Sequence, residues 1–440
     1  MRFSKKLLAF TLLCTCAAQI FAQELPRRAF FGVRMETLTE EGARILKLPA
    51  AKGVLLNNIV PGSTAEAAGL QRGDVWFTLN DREINSPAEG VEALKQLREG
   101  QSFTYTYLRQ GTLHSEKAVA KAYPREQYPD FDIEYGSVKV NDDRMRSICT
   151  RPRKSGKLPA VLFIQGVGCY SLDTPLDTSS VEVQLLNNLT RNGFVTFRVD
   201  KPGQGDSQGG PCSSVDFEEE ADVYRQALLQ LRKMEGVDPD RIFIIGHSMG
   251  GVFAPIIAQD APVRGIIAYG TIGSNFMEYF VNSRRTIAQA YGMSPAETDN
   301  YVKLHCECLL PYIADGLPME QIAALKPQCA NIVGSMGRDN PFWQQLYGVN
   351  LPALWSDYSG QVLAIWGKSD YVSTRSEHQW IADVVNRAHP GKGSFVELDQ
   401  CDHGMHIATS FQQAAQGQTT GFNPLVLQTI REWLIRHANV

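Results

Sequence analysis

The stretch Arg241-Ile-Phe-Ile-Ile-Gly-His-Ser-Met-Gly-Gly251 decides how this chain of 440 residues is read. Its apolar run has the character of a buried strand. The run breaks at Gly246-His247-Ser248-Met249-Gly250, and Val252 to Ala258 follows as a helix-like run. This is G-x-S-x-G between a strand and a helix, where small flanking residues let the backbone turn sharply under the serine. Ser248 Oγ is then expected above a sheet edge, at a helix N-terminus that favours developing negative charge. The bare pattern is weak, so its flanks carry the reading. Gly334-Ser335-Met336-Gly337 shows the difference: Val333 stands where the upstream glycine is needed, and no strand precedes it.

Outward from this point, composition sets bounds. Apolar residues make up 43% and charged residues 20%, the balance of a globular protein. The length calls for two or three domains. Met1 to Ala22 reads as a secretory signal: Arg2, Lys5 and Lys6 precede an apolar stretch too short to span a bilayer. Cys14 and Cys16 raise a lipoprotein alternative, ranked second because no small-residue pair precedes either. Removing the signal's three cations takes the formal charge from −4 to −7. A mildly acidic, exported product without a basic cluster is a poor nucleic-acid binder. The expected address is the periplasm or the exterior, with no membrane span. Of nine cysteines, seven lie beyond the signal, so disulfides are allowed and at least one thiol is unpaired.

Residues 28–122 form a unit of their own. Gly53 to Val60 is strand-like, Pro61-Gly62-Ser63 turns the chain, Ala65 to Leu70 is a short helical turn, and Gly73 to Leu79 resumes a strand. Ser86-Pro87-Ala88-Glu89 combines an N-cap serine, a first-position proline and a third-position glutamate, and so starts a helix. Val91, Leu94 and Leu97 give that helix an apolar stripe, and Phe103 to Arg109 alternates as a strand. These residues resemble a PDZ domain of the bacterial periplasmic type. The resemblance implies that Phe30-Phe31-Gly32-Val33 is the loop whose amides hold a chain-terminal carboxylate. It also implies that the next strand pairs with an extended peptide, walled by the Ser86–Leu97 helix.

Residues 123–130 are polar, contain two prolines and lack periodicity, as a linker does. Over 131–440, strand-like runs alternate with helical ones such as 181–191, 217–234 and 377–388, and Leu425 to His437 closes the chain as an amphipathic helix. The order predicts an open, mostly parallel sheet covered on both faces. This region resembles an α/β-hydrolase. By that resemblance Gln165-Gly166-Val167-Gly168 is the oxyanion loop, with glutamine where histidine is usual, and Val167 and Met249 N–H are the oxyanion donors. Asp200-Lys-Pro-Gly-Gln-Gly-Asp-Ser207 resembles a structural turn of the family, with Pro202 in place of arginine. Pro255, inside the helix after Ser248, is expected to kink it. Between Tyr269 and Gln361 some ninety residues replace one crossover, so about 272–360 is expected to be a helical cap. Phe276, Tyr279, Phe280, Trp343 and Tyr347 are candidates for its pocket, though packing onto the sheet is the commoner use of such aromatics.

A serine hydroxyl needs a base, and the base an orienting acid. The family order Ser, acid, His selects Asp370 in Trp366-Gly367-Lys368-Ser369-Asp370 and His403 in Asp402-His403-Gly404. His406 is the second choice for base; Asp399 and Asp402 are weaker acids because they share the histidine's loop. Cys169 and Cys212 lie in neighbouring loops and are expected to form a disulfide. His305-Cys306-Glu307-Cys308 with Cys329 admits a metal cluster, but a disulfide from Cys329 to Cys306 or Cys308 is preferred and no metal is expected. Cys149 is expected to be a buried thiol. The leading expectation is a cofactor-free, exported serine hydrolase of carboxylic esters that takes a small acyl substrate, with a peptide C-terminus as the partner of its PDZ module. The alternatives are a serine peptidase, of aminopeptidase or prolyl type, and a peptide-binding protein whose hydrolase region is catalytically dead.

Overall fold

The computed structural model describes residues 25–439. The signal expected at 1–22, with Cys14 and Cys16, lies outside them. Two large sheets organise the described chain. The first comprises β1 (Val33–Thr37), β2 (Val54–Ile59), β3 (Val75–Leu79), β4 (Arg82–Glu83), β5 (Ser102–Arg109) and β6 (Thr112–Val119). Its order is β1-β2-β3-β5-β6, with β4 on β3, and every pairing is antiparallel. Helices α1 (Glu40–Ile45), α2 (Thr64–Ala67) and α3 (Pro87–Lys95) complete this PDZ-like unit. Ser63 and Ser86 accept from the Glu66 and Glu89 amides and so start α2 and α3. Phe31, Trp76, Phe103 and Tyr105 fill the core. The stripe expected on α3 is rotated: Leu97 is buried, but Val91 is 50% exposed. The helix packs through Gly90 and Ala93 instead, because α3 lies so close to edge strand β1 that a Cβ on Gly90 would meet Met35 Sδ.

The second sheet has eight strands: β7 (Phe131–Val140), β8 (Asp143–Pro152), β9 (Leu158–Ile164), β10 (Val195–Val199), β11 (Val237–His247), β12 (Gly265–Tyr269), β13 (Gln361–Gly367) and β14 (Gly393–Leu398). The order is β14-β13-β12-β11-β9-β10-β8-β7. Only the β7–β8 and β8–β10 pairings are antiparallel; the rest are parallel. Alternate residues of each strand serve opposite faces. Val161, Phe163, Phe243 and Ile245 meet α4 (Val181–Arg191) and α15 (Pro424–Ala438). Ala160, Leu162, Ile242 and Ile244 meet α5 (Phe217–Lys233), α6 (Met249–Asp260) and α13 (Arg375–Ala388). α6 runs on through Pro255, and nine of its twelve residues are buried.

Between β12 and β13 lie α7 (Phe276–Ala290), α8 (Pro295–Ile313), α9 (Met319–Leu325), α10 (Cys329–Gly334), α11 (Asn340–Tyr347) and α12 (Leu351–Asp357). A Cys308–Cys329 disulfide ties α8 to α10 and takes both thiols away from any metal. Phe276, Phe280 and Trp343 pack into the main core, whereas Tyr347 is 44% exposed. After β14 come the short pair β15 (His406–Ile407) and β16 (Thr420–Phe422), with α14 (Phe411–Ala415) between them. Among the described residues no helix is long and apolar enough to cross a membrane.

The two units meet through buried charge. Arg27, ahead of the PDZ-like sheet, pairs with Asp173 at 2.7 Å and also with Asp206, which Arg146 holds at 2.9 Å. The connecting segment is extended but held: Glu126 is buried and pairs with Arg198 at 2.6 Å.

Candidate active site

Parallel register sets the site. His247 of β11 lies level with Tyr269 of β12, and Gly246 with Ile164 of β9. The loops after β9, β11, β12, β13 and β14 therefore emerge at one sheet edge, the usual place for ligands in open α/β sheets. At the strand–helix turn Ser248 has φ 54° and ψ −119°, a left-handed backbone that costs a non-glycine residue about 1–3 kcal/mol. Surrounding bonds hold it there. Ser248 N donates to Tyr269 O at 2.8 Å, and Thr271 Oγ1 donates to Ser248 O at 2.7 Å. The turn also needs its glycines: a Cβ on Gly250 would overlap the Ile164 carbonyl oxygen.

Three side chains predicted from sequence come together here. His403 Nε2 is 3.1 Å from Ser248 Oγ, and His403 Nδ1 is 3.0 Å from Asp370 Oδ2. Asp370 is fully buried, and its carboxylate also accepts from the Val372 and Ser373 amides at 2.8 and 2.9 Å. With Nδ1–H donating to Asp370, Nε2 is free to accept the serine proton. Burial pushes the His403 imidazole down, but the charge and hydrogen bond of Asp370, with help from Asp402, leave it above the ordinary histidine range. Burial pushes the Asp370 carboxyl up, and His403 and Ser373 more than offset this. The second choices are engaged elsewhere. His406 Nδ1 faces Asp402 at 3.4 Å, while Asp399 pairs with Lys368 at 2.7 Å on the surface.

The Gln165–Gly168 loop lies against the turn, so close that a Cβ on Gly166 would sit 3.1 Å from Ser248 Cβ. Among the described residues neither the Val167 N–H nor the Met249 N–H has a backbone acceptor outside regular helices and strands, and Met249 opens α6, where the first amides are unpaired. A Cys169–Cys212 disulfide joins this loop's far end to the segment after β10.

Sequence reasoning passed over the residues that support this arrangement. His247 Nε2 lies 2.8 Å from His403 O, and Tyr269 OH donates to Asp402 O, so both hold the histidine loop. His378, which burial pushes down to about 4, accepts the Thr271 amide at 3.0 Å. The only sequence signal for His247 and Tyr269 is position, beside the serine and at a strand end, and His378, inside α13, carries none.

In the PDZ-like unit one correction is needed. Phe30 N–H donates to Lys121 O at 2.8 Å, so it is withdrawn from the carboxylate-holding set expected of Phe30-Phe31-Gly32-Val33. Phe30 lies before the turn and is bridged to the last strand's exit, which sequence spacing does not reveal. Phe31 and Gly32 keep amides without backbone acceptors among the described residues, and Val33 opens β1.

Residues 29–117 match the PDZ domain family. A probable periplasmic serine protease (do/HhoA-like) of Haemophilus influenzae is 31% identical over 96 residues, 22% of this chain and 21% of that protein. Esterase EstD of Thermotoga maritima is 25% identical over 157 residues, 35% of this chain and 37% of the esterase. The chain thus spans between about a fifth and two fifths of the length of these two relatives. The solved structure of Est1E from Butyrivibrio proteoclasticus with ferulic acid bound is 13% identical, covering 69% of this chain and 99% of that one at a TM-score of 0.46. Residues 161–415, more than half of the sequence, match the alpha/beta hydrolase family, and the chain belongs to that family.

Proposed function

We propose that this chain is an exported serine hydrolase that cleaves carboxylic esters, with a PDZ module that binds peptide or protein ends. The observation that carries the reading is the unbroken relay from Ser248 Oγ through His403 to Asp370, at 3.1 and 3.0 Å. His403 takes the serine proton as Oγ bonds to the acyl carbon. The Val167 and Met249 amides receive the oxyanion. As the tetrahedral adduct collapses, the bond to the leaving alcohol breaks and His403 returns the proton to it. Water, activated by the same imidazole, then releases the acid and restores Ser248. Asp370 holds the imidazole tautomer and stabilises its charged form.

A serine peptidase is the second reading. Edge strand β1 beside α3 would hold an extended peptide and present it to the same serine. Turnover of short-chain p-nitrophenyl esters beside aminoacyl and peptidyl anilides separates the two, with Ser248→Ala as control. Ester cleavage that vanishes in the variant is the expected result. Anilide cleavage at comparable efficiency would replace the ester reading with the peptidase one. No turnover of either class by folded protein would overturn both.

A further inference from the structure

Beneath the Gln165–Gly168 loop lies a charged cluster that the relay does not use. Lys201, Glu220 and Arg338 are all buried and come from three distant segments: the turn after β10, helix α5, and the connection between α10 and α11. Lys201 Nζ is 2.9 Å from Glu220 Oε1 and donates to the Gly166 carbonyl at 2.6 Å. The Arg338 guanidinium reaches the other Glu220 oxygen. Its Nε donates to the Val167 carbonyl at 3.2 Å, and its Nη1 donates to the Cys212 carbonyl. Tyr224 OH completes the cluster by donating to Glu220 at 3.1 Å.

The Gly166 C=O and the Val167 N–H belong to one planar peptide unit. In a trans peptide the two groups point in opposite directions, so a donor fixed on the carbonyl sets the direction of the amide. Arg338 fixes the next carbonyl as well. Two consecutive carbonyls of an irregular loop are therefore anchored to a rigid, buried frame. For stability alone such a frame is a poor choice, because well-packed apolar side chains commonly do as well as buried ion pairs. The Lys201 nitrogen carries a hydrogen to donate whether or not it is charged, so its bond to Gly166 holds although burial and Arg338 push this amine down.

We propose that Lys201, seated on Glu220 and supported by Arg338, is a positioning residue that aims the Val167 amide at the developing oxyanion. The inference rests on the serine-hydrolase reading above and assigns that site a part lying outside its relay. Lys201 touches no reacting atom and acts through the peptide plane.

The test is Lys201→Met in the full chain. The variant keeps the aliphatic stem and leaves Glu220 paired with Arg338, so no buried charge is stranded. Three quantities are read: kcat per titrated active site and KM for a short-chain p-nitrophenyl ester, and the affinity for phenylboronic acid, which forms a tetrahedral adduct on serine. Losing an oxyanion donor costs about 100- to 1,000-fold, so misaiming one should lower kcat about 10- to 100-fold. KM should stay within about threefold, and boronate affinity should fall alongside kcat. A merely structural lysine would lower the melting temperature or the titrated fraction, with kcat per site and boronate affinity unchanged; that result overturns the proposal. Should Lys201→Met fail to fold, Arg338→Met is read the same way: it frees the Val167 carbonyl and leaves Lys201 paired with Glu220. A lowered kcat is expected, and wild-type kcat per site would overturn the proposal. Wild-type protein without turnover or boronate binding would remove the hydrolase reading and this inference together. Full activity in both wild type and a folded Lys201→Met would remove the inference alone.

Discussion

At His403 two opposing effects set when the base is available. Burial lowers the imidazole pKa, Asp370 raises it by more, and the net position is above the ordinary value. The relay works with neutral His403, so kcat/KM should rise with pH through a midpoint above the ordinary histidine value of about 6.5. In Asp370→Asn burial is opposed only by the weaker Asp402 charge. The acidic limb should move below that value while the rate falls by about 10⁴-fold, since the amide supports the wrong tautomer. A pH–rate profile of both proteins checks this; an unmoved limb would contradict the assignment of Asp370. Gly250 tests the turn itself. Gly250→Ala places a methyl group on the Ile164 carbonyl, and overpacking at this level should destabilise by about 1–3 kcal/mol in denaturant titration. Ser248, Asp370 and His403 were legible in the sequence because each follows a recognisable strand and their chain order is fixed by the fold. Lys201, Glu220 and Arg338 were not, because ion pairing between residues so far apart in sequence leaves no local pattern.

Among the elements, the least legible feature was how the two units join. The 123–130 segment reads as a polar linker, yet Glu126 is buried on Arg198, and Arg27 enters a charge cluster with Asp173, Asp206 and Arg146. Removing one partner from such a cluster is costlier than removing the whole, because a buried charge is left unbalanced. Arg27→Met should therefore lower stability by about 3–5 kcal/mol, read by urea unfolding. A change below 1 kcal/mol would mean that the cluster is solvated in solution. Helix α3 shows a second limit. Its start was legible from Ser86, Pro87 and Glu89, but its buried face was not, because close approach to β1 favours Gly90 and Ala93 over the larger Val91. The disulfide of Cys329 was legible only as a choice. Cys306 and Cys308 lie two positions apart on α8 and so on nearly opposite sides of it, and Cys308 takes the buried one.

On the scale of the whole molecule, five loops from parallel strands converge on one sheet edge, and the alternation of strand and helix patterns was enough to predict that edge. The helices between β12 and β13 were foreseen as a helical insertion; α10 and α12 are short and leave little periodicity to read. The Cys169–Cys212 disulfide closes a loop of 43 residues that contains β10 and the Lys201 turn. Replacing both cysteines with serine should lower stability by about 2–4 kcal/mol in denaturant titration, and an unchanged midpoint would place the constraint elsewhere. The central claim is that Ser248 is an activated nucleophile. Its most direct test is intact-protein and peptide mass spectrometry after treatment with a fluorophosphonate, beside Ser248→Ala. The account predicts one adduct per chain, on the peptide carrying Ser248, and none in the variant. Absence of an adduct on folded wild-type protein, or its appearance on another residue, would contradict it.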